Sequence, residues 1–280
     1  PELVCTRVDL SHRATDAEAL RLVDELRSGM QEEKVALRGE SRYVARLVHS
    51  AFQQAEAPEK ARVVESGSYL ISGGLTGLGL AAAECLVAHG AKHLVLFGRR
   101  GPDPAAQAAI RRMQSAGAEV VAAQIDVAHY DSVAELVARF GQTWPLLRGV
   151  IHSAMVLDDG VVSEQTWERF ERVMAPKIHG SWNLHLATLR LSLDFFVCYS
   201  SSASLLGTTG QANYIAANAF LDALAHHRRL RGLPGLSINW GAFSGAGVGV
   251  KMPGMPQEAR THCRSGPSCS QISRPVSRSE

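Results

Sequence analysis

Between residues 66 and 250, short apolar runs alternate with longer stretches that have the composition and spacing of helices. The apolar runs span residues 69–72, 93–97, 120–125, 149–152, 195–199 and 236–240, and the helix-like stretches include 78–89, 105–116, 132–140 and 212–229. Strands that are apolar along almost their whole length are typical of parallel sheets with helices on both faces. The pattern therefore predicts an α/β fold with a doubly wound parallel sheet.

Residues 1–65 follow a different pattern, with too few apolar residues to close a core. After a strand-like run at 3–10, we expect a helix that begins with the capping box Thr15-x-x-Glu18, in which each side chain binds a backbone N–H at the other residue. Two strands are expected around a turn at Gly39, and residues 53–65 read as a polar linker. We expect this zone to pack on a partner that is missing or lies elsewhere. The apolar face of the helix would hold Leu20, Val23 and Leu26.

The last thirty residues, 251–280, change again, because only seven of them are hydrophobic. A segment of this composition cannot bury enough apolar surface to offset its ordering entropy. We therefore expect a disordered tail, or sequence that does not belong to the original fold. Because the chain starts with Pro1 rather than Met, we also expect it to be a piece of a longer protein.

Charge and composition exclude several classes of protein. The net charge of +2, from 29 basic and 27 acidic residues, gives no basic face for nucleic acid. No apolar run approaches the roughly 18 residues of a membrane span, and no signal-peptide pattern opens the chain. The five cysteines lack the spacing of metal ligands. We therefore expect a cytoplasmic protein with no metal ion and no nucleic-acid or membrane partner.

A glycine-rich turn follows the apolar run at 69–72. Glycines let a backbone turn tightly and approach a pyrophosphate, whose charge is stabilised by the free N–H groups of a helix N-terminus. The spacing departs from the usual Gly-x-Gly-x-x-Gly, and such a turn alone is a weak signal. With a strand before it and an Ala-rich helix after it, the turn predicts a dinucleotide site. Its residues are Gly73, Gly74, Leu75, Thr76, Gly77, Leu78 and Gly79.

The second strand ends at Gly98, where a site selective for NAD would place a carboxylate for the ribose 2′-hydroxyl. Arg99 and Arg100 follow instead, and a guanidinium binds phosphate through charge-assisted hydrogen bonds. We therefore expect NADP(H), with Arg99 as the better candidate for the 2′-phosphate; the alternative is a solvated arginine pair. Asp126 and Val127, after the third strand, could border the adenine, although Asp126 alone is equally well explained as a turn-forming residue.

Four polar residues in the second half of the chain form another group of candidates. Tyr214 and Asn218 share a face at the start of a helical run, Ser201 ends the strand just upstream, and Lys177 lies in the helical stretch before that strand. Reduction of a carbonyl needs a hydride, a hydrogen bond to the carbonyl oxygen and an acid for the incipient alkoxide. Tyrosine is such an acid when a nearby cation lowers its pKa. Each residue alone has an ordinary structural explanation, but their joint occurrence behind a dinucleotide turn favours a reductase.

Several strings between residues 66 and 250 match one family in order. They are Gly73-Gly74-Leu-Thr-Gly77-Leu-Gly79, Leu96-Phe-Gly-Arg-Arg-Gly101, His152-Ser-Ala-Met-Val-Leu-Asp-Asp-Gly160, Ala175-Pro-Lys-Ile-His-Gly180, Tyr199-Ser-Ser201, Gly210-Gln-Ala-Asn-Tyr214 and Ile238-Asn-Trp-Gly241. With these strings the chain resembles the ketoreductase domain of modular (type I) polyketide synthases, in the extended branch of the short-chain dehydrogenase/reductase family. The resemblance implies a Rossmann-like, NADP-binding catalytic domain at 66–250. It makes residues 1–65 a linker and an incomplete remnant of the family's structural subdomain, and it adds His152, Ser153 and Ala154 to the cofactor site.

Carried over by position, the resemblance implies Tyr214 as the proton donor, Ser201 on the substrate carbonyl, and Lys177 and Asn218 completing a tetrad. In many members of the wider family the lysine stands four residues after the tyrosine. Here that place holds Asn218, as in polyketide and fatty-acid synthases. The substrate implied is a β-ketoacyl thioester on the phosphopantetheine arm of an acyl carrier protein, next to the other domains of a synthase for polyketide or fatty acid biosynthesis.

The resemblance also concerns stereochemistry. Leu157-Asp158-Asp159 is similar to the signature of B-type ketoreductases, which set one configuration of the β-hydroxyl group. The A-type marker, a tryptophan eight residues before the tyrosine, is absent, and Leu206 stands there. From the residues alone, two adjacent aspartates before a glycine would be a solvated turn.

Two departures from the family pattern lead to further expectations. Met155 stands where the family often has glycine, so it adds bulk near the expected nicotinamide. The family continues past Val250 into a lid helix and another strand, which the polar tail does not offer. An open sheet edge and a missing lid would loosen the site. Two alternatives therefore stay open: a non-catalytic or truncated scaffold domain of a synthase, and a free-standing short-chain reductase of small ketones.

Overall fold

The computed structural model describes residues 5–29, 32–46 and 63–241. The chain divides into two compact units between Ala57 and Pro58. The predicted tail at 251–280 and most of the predicted linker, residues 53–62, lie outside the described residues.

The first unit holds a three-stranded sheet and one helix. Its elements are β1 (Arg7–Asp9), α1 (Asp16–Arg27), β2 (Lys34–Arg38) and β3 (Ser41–Val44). β1 pairs with β2 in parallel, and β2 pairs with β3 antiparallel. The turn between β2 and β3 contains Gly39 at φ +55°, a left-handed conformation that glycine adopts without steric cost. The predicted pair of strands around Gly39 is confirmed, whereas the first strand is shorter than the predicted run.

The predicted capping box at the start of α1 is extended by a contact to the β2–β3 turn. The Thr15 side chain accepts a hydrogen bond from the Glu18 N–H (3.3 Å). The Glu18 carboxylate accepts from the Ser11 hydroxyl (2.5 Å) and the Gly39 N–H (2.9 Å), and Glu18 is almost fully buried. A hydrogen bond from the Thr15 backbone also lowers the pKa of this carboxylate, so Glu18 serves the helix start and also ties it to the β2–β3 turn. The apolar face of α1 is exposed at Leu20, Val23 and Leu26.

The second unit is built on a six-stranded parallel sheet in the order β6-β5-β4-β7-β8-β9. Counted within this unit, the order is 3-2-1-4-5-6, the doubly wound order in which ligands bind at the carboxyl ends of the strands where the order reverses. That reversal lies between β4 and β7. The predicted doubly wound, Rossmann-like α/β fold is confirmed. The strands are β4 (Ser68–Ser72), β5 (His93–Gly98), β6 (Glu119–Gln124), β7 (Leu147–His152), β8 (Phe195–Ser201) and β9 (Leu236–Trp240).

The helices of this unit cover the sheet and enclose two hydrophobic cores, because successive residues of a strand point to opposite faces. They are α2 (Gly77–Ala88), α3 (Pro104–Ser115), α4 (Tyr130–Ala138), α5 (Trp167–Met174), α6 (Gly180–Ala187), α7 (Ala203–Leu206) and α8 (Ala212–Leu230). Leu70 and Val95 pack with α4, α6 and α8 on one face, and Ile71 and Leu96 pack with α2 and α3 on the other. Within the described ranges, none of the helices is long and apolar enough to cross a membrane.

Candidate active site

A cavity of about 640 Å³ opens at the carboxyl ends of the strands in the second unit. Its lining residues follow β4, β5, β6 and β7 and include the ends of β8 and β9. This is the edge that the reversal of strand order indicates for a ligand.

Glycines shape the turn after β4. Gly73 lies at φ +68°, and a Cβ there would be 2.7 Å from the backbone nitrogen of Ala154. A Cβ on Gly74 would be 2.8 Å from the Ile71 carbonyl oxygen, and one on Gly79 would collide with the carbonyl oxygen of Gly73. These glycines therefore let the turn pass close to β7 and let α2 start directly against it. The residues of the turn that line the cavity are Gly73, Leu75, Thr76, Gly77 and Leu78.

The N-terminus of α2 can bind an anion. Thr76 is the N-cap residue, and its side chain makes no capping hydrogen bond. No threonine hydroxyl therefore competes for the first N–H groups of the helix, which carry partial positive charge. The turn and the helix start together fit the pyrophosphate of a dinucleotide.

Arg99 and Arg100 follow β5 and line the same cavity. Both are exposed, and in the part of the chain that the structure describes, neither guanidinium has an ion-pair partner. Asp126 and Val127 line the cavity after β6. The Asp126 carboxylate also accepts a hydrogen bond from the Ala128 N–H (3.0 Å), so Asp126 forms a turn as well as bordering the cavity.

The three candidates at the end of β7 and directly after it differ in position. Ser153 and Ala154 line the cavity, whereas His152 is fully buried and is not among the lining residues. Its Nδ1 lies 2.6 Å from the Ser72 hydroxyl. Burial, together with the nearby charge of Lys177, lowers the pKa of His152 to about 3. His152 is therefore a neutral residue that joins β4 to β7 behind the wall formed by its neighbours.

Lys177 lies in a π-helical turn, Ala175–His179, between α5 and α6. The sequence predicts a helical stretch here but not this turn, which contains Pro176 and so lacks one backbone donor. Lys177 is 2% exposed, and its Nζ donates to the Tyr199 carbonyl oxygen (2.9 Å). Burial lowers the pKa of Lys177 to about 8. π-helical turns of this kind often occur at functional sites.

Tyr214 stands in the first turn of α8 and lines the cavity with Lys177 and Ser201. The Lys177 Nζ lies 5.5 Å from the centre of the Tyr214 ring. Burial raises the pKa of Tyr214, while side-chain hydrogen bonds with Asn218 and Ser201 lower it. The Asn218 amide also donates to the Tyr214 carbonyl oxygen (2.7 Å), and Asn218 is fully buried behind the lining. The fold thus brings the four predicted residues together.

A carboxylate that sequence reasoning missed joins the elements that carry these residues. Asp222, on α8, accepts hydrogen bonds from Ser204 (2.6 Å), from Ser237 (2.5 Å) and from the Asn239 amide (3.0 Å). The same amide lies 3.2 Å from the Ser201 carbonyl oxygen. Asp222 therefore links α8 to α7 and to β9, and the Asn239 amide extends this network to the end of β8. Its spacing was the available signal, because Tyr214, Asn218 and Asp222 recur every four residues on one helix face.

The segment Leu157-Asp158-Asp159-Gly160, here called the 157–160 loop, borders the site. Leu157 lines the cavity, as does Met155 just before the loop. The Asp158 carboxylate binds two arginines of α5, and the Asp159 carboxylate accepts from the Gln211 amide (3.0 Å). Asp158 is thus a largely buried, paired side chain, whereas Asp159 is exposed and bound to Gln211.

The arrangement is a dinucleotide cradle at one part of a cavity and a tyrosine, a serine and a buried lysine at another. Within the described segments, no group of three His, Cys, Asp or Glu side chains could hold a metal ion. A model of the KR domain matches residues 67–245. The chain belongs to the ketoreductase domains of polyketide synthases. Members of this family are nicotinamide-dependent reductases, so the cradle and the polar cluster have the parts that ketoreduction requires.

Curated relatives of this ketoreductase are large synthases. It is 40% identical over 200 residues to a phenolphthiocerol/phthiocerol polyketide synthase of Mycobacterium tuberculosis, covering 71% of this chain and 9% of the relative. It is 44% identical over 194 residues to a mycocerosic acid synthase-like polyketide synthase of the same species, covering 69% and 9%. The chain thus spans about a tenth of the length of these relatives.

Solved ketoreductase structures share the fold. An A-type ketoreductase from a modular polyketide synthase is 36% identical, with a TM-score of 0.83 over 89% of this chain and 52% of that one. The first ketoreductase of the tylosin synthase is 38% identical, with a TM-score of 0.75 over 87% of this chain and 51% of that one. The chain spans about half the length of these structures.

Proposed function

We propose that this ketoreductase uses NADPH to reduce a β-ketoacyl thioester to the β-hydroxyacyl thioester. The observation that carries the proposal is the buried ammonium of Lys177, 5.5 Å from the ring of Tyr214, at the cavity that also holds Ser201 and the glycine-rich turn. A cation held against a phenol at a dinucleotide cradle is what acid-assisted carbonyl reduction needs.

A reduced nicotinamide held beside Ser153 and Ala154 would supply the hydride for the β-carbon. The Ser201 hydroxyl donates a hydrogen bond to the carbonyl oxygen, and the Tyr214 phenol transfers its proton to that oxygen as negative charge develops. Because burial raises the pKa of Tyr214, the phenol carries its proton at neutral pH. The Lys177 ammonium stabilises the phenolate that remains, and the Asn218 side chain adds a hydrogen bond to it.

The residues of the cradle have complementary proposed roles toward NADPH. The turn at Gly73 and the start of α2 would hold the pyrophosphate. Arg99, with Arg100 beside it, would hold the 2′-phosphate, since β5 ends at Gly98 and offers no carboxylate for a ribose hydroxyl. Asp126 and Val127 would border the adenine, and Ser153 and Ala154 the nicotinamide end.

We further propose B-type stereochemistry, which rests on the Leu157-Asp158-Asp159 sequence and on Leu206 in place of the tryptophan of A-type domains. The A-type label belongs to a structure that is 36% identical to this chain. Overall similarity of that degree reflects the shared fold, while the product configuration depends on a few residues beside the tyrosine.

The proposed partners follow from the relatives, which are multidomain polyketide synthases. We propose that an acyl carrier protein presents the substrate on a phosphopantetheine arm, that the other domains belong to the parent synthase, and that the assembly works in the cytoplasm. We also propose residues 66–250 as the catalytic domain and residues 1–65 as linker and structural remnant.

The replacement Tyr214→Phe tests the catalytic proposal. We expect it to lower kcat for a soluble β-ketoacyl thioester by about 10²–10⁴-fold, the usual contribution of a general acid. Tyr130→Phe, a change at an exposed tyrosine at the start of α4, is the matched control and should leave the rate unchanged. Near-wild-type turnover in Tyr214→Phe would remove this residue from the mechanism. A wild-type chain that neither binds NADPH nor reduces the thioester would favour the scaffold alternative.

The replacement Arg99→Asp tests the cofactor. We expect it to weaken NADPH binding and to shift preference toward NADH, because the carboxylate repels the 2′-phosphate and accepts from a ribose hydroxyl. Arg111→Asp makes the same charge change on the exposed face of α3 and should not alter the preference. An unchanged NADPH/NADH ratio in Arg99→Asp would contradict the assignment.

A further inference from the structure

The Asp158 carboxylate is held by two arginines on one face of α5. Arg169 reaches its Oδ1 from Nε at 2.9 Å and from Nη2 at 2.7 Å, and Arg172 reaches its Oδ2 at 2.6 Å. The Asp158 side chain is only 16% exposed. Charge-assisted hydrogen bonds to a largely buried carboxylate are stronger and more geometrically specific than exposed ion pairs.

Arg169 also holds the backbone of the same loop. Its guanidinium donates to the carbonyl oxygens of Asp159 (2.6 Å) and Glu164 (3.1 Å). A Cβ on Gly160 would lie 2.7 Å from Nη1 of Arg169 and 2.8 Å from Nη2. The loop therefore lies directly against this guanidinium, and one side chain fixes both a carboxylate and the backbone beside it.

The opposite side of the loop is attached to the segment that leads into Tyr214. The Gly160 N–H donates to the Gly210 carbonyl oxygen (2.8 Å), the Asn213 amide donates to the Asp158 carbonyl oxygen (2.8 Å), and the Gln211 amide donates to the Asp159 carboxylate (3.0 Å). The 157–160 loop is thus held between α5 and the first turn of α8. Any shift of the loop would move Leu157 relative to the Tyr214 phenol.

We infer that Arg169 is a positioning residue for stereocontrol: through Asp158 it fixes the loop wall beside Tyr214 and so selects which face of the β-carbonyl is reduced. This inference rests on the proposed reductase function. It assigns different roles to the two aspartates, since Asp158 anchors the loop to α5 while the Asp159 carboxylate binds the Gln211 amide. Arg172 reaches Asp158 through one nitrogen and is more exposed than Arg169, so it contributes less.

The experiment compares Arg169→Met, Arg169→Lys, Arg172→Met and Asp158→Asn in the full chain, with Arg112→Met, at a surface pair with Glu84, as the matched control. A soluble β-ketoacyl thioester is reduced with NADPH, and the two β-hydroxy products are separated by chiral chromatography. We expect Arg169→Met to raise the fraction of the minor configuration about tenfold, with a larger change in KM than in kcat. Arg169→Lys should lie between, because lysine keeps the charge but not the planar fork. The control should match wild type.

A double variant separates positioning from a general loss of structure. If Arg169 acts through Asp158, the product ratio of Asp158→Asn/Arg169→Met should equal that of Arg169→Met alone, because coupled residues are not additive. Independent, additive effects, or a product ratio within twofold of wild type in Arg169→Met, would overturn the inference. Should Arg169→Met fail to fold, the product ratios of Arg169→Lys and Asp158→Asn test the inference instead, and ratios within twofold of wild type in both would overturn it.

Two further readouts keep this inference distinct from the proposed function. If wild type forms the opposite configuration, the B-type assignment is wrong, but the shift in ratio still tests Arg169. If wild type reduces no thioester, the proposed function fails, and hydrogen exchange at residues 157–164 tests the attachment itself. Faster exchange there in Arg169→Met than in Arg112→Met would support the loop attachment, and equal exchange would refute it.

Discussion

Replacing Lys177 with methionine should slow the reductase and stabilise its fold at the same time. The Nζ of Lys177 lies 5.5 Å from the Tyr214 ring centre. At an effective dielectric constant of about 20, two unit charges at that separation interact with about 3 kcal/mol. If this attraction stabilises the phenolate in the transition state, its loss lowers kcat by about 10²-fold.

The effect on stability has the opposite sign. Burial lowers the pKa of Lys177 from 10.5 to about 8 in the folded chain, so the unfolded chain binds this proton more tightly. Below pH 8 the lysine is charged in both states, and burial of the charge then costs about 3 kcal/mol, at about 1.4 kcal/mol per pKa unit. Wild-type stability should rise between pH 8 and 10.5 as the folded lysine loses its proton, and Lys177→Met should remove this cost at pH 7.

The assay is the rate of NADPH consumption with a β-ketoacyl thioester between pH 6 and 10, paired with urea unfolding. Wild-type kcat should fall as the pH rises through about 8, and Lys177→Met should be slow throughout, without that transition. Lys92→Met, at a partly exposed lysine near Glu65, is the control. A transition near pH 8 that persists in Lys177→Met, or slow turnover accompanied by a loss of stability, would refute the reasoning.

Three smaller predictions follow from other contacts of the site. The folded pKa of His152 is about 3 rather than 6.5, so its contribution to stability is lost as the pH falls below 6.5. His152→Asn should therefore reduce the pH dependence of the unfolding free energy in this range by about 1.4 kcal/mol per pH unit. An unchanged slope would contradict this. Asp222→Asn should lower the free energy of unfolding by about 1–3 kcal/mol in urea, because it weakens the acceptor for buried hydroxyl and amide donors. An unfolding free energy equal to that of wild type would argue against the linking role of Asp222. Gly79→Ala should weaken NADPH binding in a fluorescence titration, because the added Cβ would collide with the Gly73 carbonyl oxygen. Gly101 lines the same cavity and has no atom within 4 Å of an added Cβ, so Gly101→Ala should not weaken binding. Equal affinities in the two variants would contradict the assignment of the glycine-rich turn to the cofactor.

The sequence predicted the sheet well because the signal is local. Strands such as Ser68–Ser72 and His93–Gly98 are buried on both faces, and their central residues, 69–71 and 94–97, are accordingly apolar. The sequence predicted the glycine-rich turn equally well, because a side chain at Gly73 or Gly79 would collide with backbone atoms. Both features are imposed by contacts that nearly every doubly wound sheet makes.

The features that sequence reasoning missed depend on contacts between distant residues. The local sequence does not show that the Glu18 carboxylate also accepts a hydrogen bond from the Gly39 N–H, 21 residues away. The linking role of Asp222 becomes visible only when β9 brings Asn239 beside α8. The family resemblance of the string at 152–160 predicted a cofactor contact for His152. The pairing of β7 with β4 instead places its side chain against Ser72, away from the cavity.

The burial of Lys177 also bears on the choice between a working reductase and a scaffold domain. The π-helical turn places this lysine beneath Tyr214 with a backbone carbonyl oxygen as its hydrogen-bond acceptor, and Asp222 contributes only a nearby charge. An apolar residue of similar length would fill the same space without the desolvation cost, which makes the lysine a poor solution for stability alone. Sites that retain such a cost are those where function opposes stability. A domain kept only as a scaffold would gain from losing this charge, so its presence favours the reductase.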